Sequence, residues 1–154
     1  MLKVVVGYPA RSEEREIIRR QTSLTEMNTP VQQVATTAEI LQARELVRQV
    51  YMDEKIEEYI IDIVFATREP GKYNLSKLEP LIAYGASPRA SINLALAARA
   101  HAFLQQRGFV VPDDVRSIAK DVLRHRIGLT YEAEAENLTV ESIIEDIIRT
   151  LALP

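Results

Sequence analysis

The chain has no cysteine, only two histidines and only five glycines in 154 residues. Without cysteine there is no disulfide framework and no thiolate metal site, which is compatible with a reducing compartment. The histidines, His101 and His125, fall on different predicted helices with no carboxylate constellation beside them. No metal-ligand spacing is present, so no metal site is expected. The glycines form no Gly-x-x-x-x-Gly-Lys phosphate loop. An NTPase needs that backbone cradle and its lysine, so this chain alone should not hydrolyse nucleotide. Gly-x-Ser-x-Gly and His-Glu-x-x-His are also missing. No apolar run approaches the ~20 residues that span a bilayer. The N-terminus shows no secretory signal. The formal net charge is −3, which argues against a general polyanion binder and leaves room for one small basic pocket.

What is present is enough apolar residue, 47%, to build the core of one domain. Most of the chain reads as helix. The first helix runs from Glu13 to about Gln21 with Ser12 as its N-cap. Arginines and glutamates alternate along it, as on a surface helix. The second starts at Thr36-Thr37-Ala38-Glu39, a capping-box pattern, and carries the apolar stripe Ile40, Ala43, Val47, Val50 and Tyr51. The third is capped by Asp53 and runs from about Glu54 to Thr67. Residues 68 to 87 read as a long loop, of the kind that is usually functional or mobile. The fourth helix runs from Pro88 to about Arg107 and is stopped by Gly108. It is apolar on almost every side, the mark of a bundle centre. The fifth starts at Pro112-Asp113-Asp114. The sixth is capped by Thr139 and shows Ile143, Ile144, Ile147 and Ile148 on one face. The run Glu132, Glu134 and Glu136 reads as a solvated connection. Phe109–Val111 and Ile127–Leu129 read as two short strands.

Leu2-Lys3-Val4-Val5-Val6 does not fit a helical bundle. Such β-branched runs suit strands buried on both faces, as in parallel sheets. Either the chain begins inside a larger domain, or this strand packs on the bundle or pairs with Phe109–Val111.

Gly85-Ala86-Ser87-Pro88-Arg89-Ala90-Ser91 is the most informative stretch. Proline suits the first helical position, and Ser87 can cap the exposed amides. Arg89 then stands at the positive end of a helix dipole, where a cation is misplaced. An anion such as phosphate between them would resolve the conflict; the other reading is an arginine reaching into water. A second basic row, Arg116, Lys120 and Arg124, recurs every fourth residue on the fifth helix. It reads as a solvated face rather than a nucleic-acid stripe, given the acidic balance.

Taken in order, Lys3-Val4-Val5-Val6-Gly7-Tyr8-Pro9, Glu13–Ile18, Val47–Ile56, Gly85–Ser91, Val111–Val115, Val122–Arg126 and Leu138–Glu141 resemble the C-terminal lid of the MoxR family of AAA+ ATPases. The resemblance implies a mainly α fold, a helical bundle lid. Residues 1–28 would be the end of the nucleotide-binding core (last strand, first helix and linker). Residues 29–154 would be the lid with its C-terminal helix. It makes Gly85–Ser91 similar to a sensor 2 motif, with Arg89 as the arginine that reaches the nucleotide's terminal phosphate. Tyr8 and Pro9 would neighbour the adenine where core meets lid, and Ala86, Ser87, Pro88 and Ala90 would form the lid side of that pocket. ATP and magnesium would be the full-length protein's cofactors, with none expected on this chain alone. The implied partners are the core of its own chain and neighbouring subunits in a ring, typically a hexamer, in the cytoplasm. The implied activity is chaperone-like remodelling or metal-cofactor insertion, often with a von Willebrand factor A domain protein. Neither nucleic acid nor a membrane span is expected. A free-standing helical interaction adaptor is the competing reading.

Overall fold

In the computed structural model, residues 1–22 and 31–154 are described. The proposed division between 28 and 29 therefore lies outside the described residues. Helix α1 (Arg11–Thr22) buries no residue. Its start differs from the expectation. Ser12 lies inside the first turn, and the Ala10 N–H donates to Glu13 Oε2 at 2.7 Å. Helix α2 (Thr37–Gln49) opens on the expected capping box: Thr36 Oγ1 accepts from the Glu39 amide while the Thr36 N–H donates to Glu39 Oε2. It too buries no residue, because its stripe of Ile40, Ala43 and Val47 borders an open groove.

The core begins with α3 (Glu54–Ala66), capped by Asp53 through the Lys55 amide. Ile56, Tyr59, Ile60, Ile63 and Val64 form its buried face. The expected loop 68–87 is ordered. It holds two 3₁₀ segments, Pro70–Tyr73 and Ser76–Leu81, and strand β1 (Ile82–Tyr84). Leu75, Leu78 and Leu81 are buried, so this stretch contributes to the core. Their spacing of three matches the 3.0-residue turn of a 3₁₀ helix, which aligns i with i+3.

Helix α4 (Pro88–Leu104) is the central rod, with Ala90, Leu94, Ala97, Ala98 and Ala102 buried. Small alanines let its neighbours approach closely, and α5 (Pro112–Leu123) packs on it most extensively. It ends three residues before the expected Arg107, and Gly108 is not its stop. Gln106 takes the left-handed conformation at φ 58°. Gln106 N–H then donates to Phe103 C=O and Arg107 N–H to Ala102 C=O, both at 2.9 Å. That pair of bonds is a Schellman exit, with glutamine in the place glycine usually takes.

Strand β2 (Gly128–Leu129) pairs antiparallel with β1, Ile82 opposite Leu129. The short helix α6 (Tyr131–Ala135) replaces the expected solvated connection, because Ala133 is fully buried beneath a Thr130 cap. Helix α7 (Val140–Thr150) is capped by Thr139 and buries Ile143, Ile144 and Ile147.

Residues 2–6 form no strand. Val4, Val5 and Val6 are exposed, and the Lys3 N–H donates to the Asp121 carbonyl at 2.8 Å. A β-ladder needs a second backbone alongside, and among the described residues none runs beside Val4–Val6. Phe109, one of the alternative partners, instead forms a parallel bridge with Tyr51, whose N–H donates to Gly108 C=O and whose C=O accepts from Val110 N–H, both at 2.9 Å.

Candidate functional site

The turn that launches α4 is fastened to the end of α3 by close backbone contacts. A Cβ on Gly85 would collide with the backbone carbonyl of Thr67, so glycine is required here by space, not by φ. Thr67 is fully buried. Its hydroxyl donates to the Val64 carbonyl at 2.7 Å and accepts the Ala86 N–H at 2.9 Å. Arg68 Nε donates to the Ala86 carbonyl at 2.5 Å, and its guanidinium lies over the Phe65 ring, 5.0 Å from the centroid. Both polar backbone groups of Ala86 are thus satisfied by two consecutive residues of the preceding helix exit.

From this anchored point the chain turns outward. Ser87 has the extended backbone of an N-cap (φ −79°, ψ 167°), but its side chain makes no capping bond. Pro88 takes the first helical position, and the Ala90 N–H bonds the Ser87 carbonyl at 2.8 Å. Ser87, Pro88 and Arg89 are exposed, whereas Ala86 and Ala90 are completely buried. The two alanines expected beside the adenine are therefore packing positions inside the bundle, and the outward face of the turn is Ser87-Pro88-Arg89. The first turn of α4 carries no acidic residue. Among the described residues, Arg89 forms no ion pair and no side-chain hydrogen bond. Tyr8 and Pro9 are exposed ahead of α1, and no hydrogen bond joins them to the turn.

The structure also contains a buried polar centre that sequence reading missed. Asp114, fully buried, accepts from His101 Nδ1 at 2.7 Å, from Arg107 Nη1 at 2.7 Å, from Arg107 Nη2 at 2.5 Å and from the Val111 N–H at 2.8 Å. Burial disfavours its charge. The Arg107 bonds, the Val111 amide and His101 together outweigh burial and hold the carboxyl below the usual carboxylate range. His101 does have a carboxylate partner, supplied across the α4–α5 crossing rather than by its own helix. The centre ties these two helices together.

The basic row on α5 is neutralised within the fold. Arg116 pairs with Asp113 at 3.7 Å, Lys120 with Glu145, and Arg124 with Asp121 at 2.9 Å and Glu141 at 3.3 Å. A phosphate-binding stripe needs unpaired cations; here Arg116 is paired along its own helix, and Lys120 and Arg124 clasp α5 to α7. An apolar groove of about 560 Å³ runs between α2, α4 and α5, bordered by Ile40, Val47, Leu96, Leu104 and Ile118 with Met1 and Leu2 at its edge. Among the described residues no helix is long and apolar enough to cross a membrane.

Comparison with known proteins places this geometry. Residues 76–147 match the AAA lid domain family. The chain is 38% identical over its whole length to Chaperone MoxR1 of Mycobacterium tuberculosis, covering 40% of that protein. It is 36% identical over 64% of its length to Protein MoxR of Paracoccus denitrificans, covering 31% of it. A crystal structure described as that of a candidate ATPase from Cytophaga hutchinsonii superposes with a TM-score of 0.90 at 40% identity, covering all of this chain and 46% of the other. The chain thus spans less than half the length of these relatives.

Proposed function

Because the chain belongs to the MoxR family of AAA+ ATPases as its C-terminal lid part, we propose that it closes over a nucleotide gripped by a core elsewhere in the full-length protein. In this reading Arg89 faces the terminal phosphate, with Ser87 and Pro88 beside it. Ala86 and Ala90 seat the turn from within, and Tyr8 and Pro9 lie at the core–lid junction near the adenine. Residues 1–28 would complete the core and 29–154 form the lid. ATP, with magnesium, supplies the phosphoanhydride bond that is hydrolysed.

The residues present suit a polyphosphate. A guanidinium offers planar, charge-assisted donors, which bind phosphate more strongly than neutral hydrogen bonds do. Here it stands beside a helix N-terminus, whose dipole also favours an anion. Contact that exists in one nucleotide state and not in the other is what lets a ligand shift a conformational equilibrium. Arg89 could supply such a contact, so lid angle would follow nucleotide state. In a ring, typically a hexamer, each lid would press on the next subunit and turn that change into chaperone-like remodelling of a cytoplasmic partner. The partner could be a von Willebrand factor A domain protein or a protein awaiting its metal cofactor. The alignment over the whole chain with a MoxR protein favours this reading over a free-standing adaptor.

The observation that carries the reading is Arg89 itself: exposed, without a carboxylate partner among the described residues, on a helix start that is fixed in place. Arg89→Ala in the full-length protein should lower ATP turnover by about tenfold or more with thermal stability kept. Near-wild-type turnover in that variant would remove Arg89 from the mechanism.

A further inference from the structure

We propose that Thr67 and Arg68 are positioning residues for Arg89: they fix the turn 85–88 so that α4 presents its arginine at one set place. The inference rests on the phosphate-facing reading of Arg89. It concerns residues that touch no nucleotide in that reading.

Four observations converge on it. Thr67 is fully buried and uses both hydrogen-bonding capacities of its hydroxyl, giving its proton to Val64 C=O and taking one from Ala86 N–H. A buried hydroxyl with donor and acceptor both filled has one orientation. Arg68 holds the other side of the same peptide unit's residue, through Ala86 C=O. It is itself steadied over Phe65. Gly85 lets the backbone come close enough for both bonds, since any side chain there would strike the Thr67 carbonyl. Finally, the Ala86 and Ala90 side chains are sunk in the core on either side of the exposed Ser87-Pro88-Arg89.

The start of α4 therefore cannot slide or rotate against α3 without breaking two hydrogen bonds and opening the core. Pairing the buried Ala86 backbone groups serves the fold as well. A helix that must aim a guanidinium gains more from the same fixity, because a displacement of about 1 Å can cost roughly a hundredfold in rate. Arg68 is exposed, so its bond to Ala86 adds little burial, yet it is directed at this turn.

The test uses the full-length protein. Thr67→Val keeps the shape and removes the hydroxyl, leaving the Ala86 amide without its partner; Thr67→Ser keeps the hydroxyl. In nucleotide-free protein, Thr67→Val should speed hydrogen exchange of the Ala86 amide by about tenfold, as loss of one buried hydrogen bond implies. Thr67→Ser should restore it. At a temperature well below the unfolding midpoint, Thr67→Val should lower kcat for ATP by about tenfold, and Thr67→Ser should return it to near the wild-type value. Combined with Arg89→Ala, Thr67→Val should lower kcat no further, since its effect runs through that arginine. Arg68→Met, at an exposed residue, should show the same pattern more weakly and carries the test if Thr67→Val does not fold.

Unchanged kcat in a folded variant whose Ala86 amide exchanges faster would overturn the positioning role while leaving Arg89 in place. An undiminished extra loss in the Arg89→Ala background would overturn it equally. Wild-type turnover in Arg89→Ala alone marks failure of the phosphate-facing reading, and the positioning role falls with it.

Discussion

The Arg107 guanidinium grips the buried Asp114 carboxylate with both ends, Nη1 to Oδ2 at 2.7 Å and Nη2 to Oδ1 at 2.5 Å. This bidentate pair, with His101 and the Val111 amide, joins the exit of α4 to the entry of α5. Removing one partner of a buried pair leaves the other uncompensated. Asp114→Ala should therefore cost about 3 kcal/mol of stability, read from chemical denaturation. The carboxyl titrates lower in the folded protein than in the unfolded chain. Its contribution is then complete above the unfolded value, about 3.9, and is lost as pH falls below it through the folded value. The stability gap between wild type and Asp114→Asn should be widest near neutral pH and should narrow on acidification below about pH 4. A constant gap would show that the ionised form is not what stabilises the fold.

Gly85 and Gly108 offer a matched pair of substitutions. A Cβ at Gly85 meets the Thr67 backbone carbonyl, which cannot step aside, whereas at Gly108 nothing lies within 4 Å. Gly85→Ala should destabilise by about 1–3 kcal/mol, the usual cost of forced overpacking. Gly108→Ala should stay within about 0.5 kcal/mol of wild type. Thermal unfolding of the two variants side by side decides this.

The clasp between α5 and its neighbours should be unequal along its length. The Arg124 side chain is only 11% exposed and touches two carboxylates, while that of Lys120 is 39% exposed and touches one. Arg124→Ala should cost about 2 kcal/mol and Lys120→Ala less than about 1 kcal/mol. Equal small losses would mean that the partial burial of Arg124 adds nothing.

Three helix starts were readable from sequence, while Ser12 and Ser87 make no cap bond. Thr36, Asp53 and Thr139 each stand where expected and accept from an amide two or three residues on, because capping is a local bargain between a side chain and its own helix. The central position of α4 was readable for the same local reason, its unbroken apolar surface. Residues 68–87 were not, since 3₁₀ segments are too short to show a long periodicity, although Leu75, Leu78 and Leu81 carried the threefold spacing that marks them. The Asp114–His101 contact was hidden because it depends on how two helices cross, thirteen residues apart in the chain. At the candidate site, the outward Arg89 was legible from its odd place beside a helix N-terminus. The inward turning of Ala86 and Ala90, and the role of Thr67, required the packing of α3 against α4.

Among the described residues, the left-handed positions of the backbone belong to Asn74, Gln106 and Asn137, and no glycine has a positive φ. Gly71, Gly85 and Gly128 answer to crowding, and curvature is left to residues that bear it with some discomfort. Anyone wishing to stabilise the molecule would leave Gly85 and Gly128 untouched and work instead at Gln106, where a residue without a Cβ would relieve the left-handed bend that α4 takes as it hands over to the next helix.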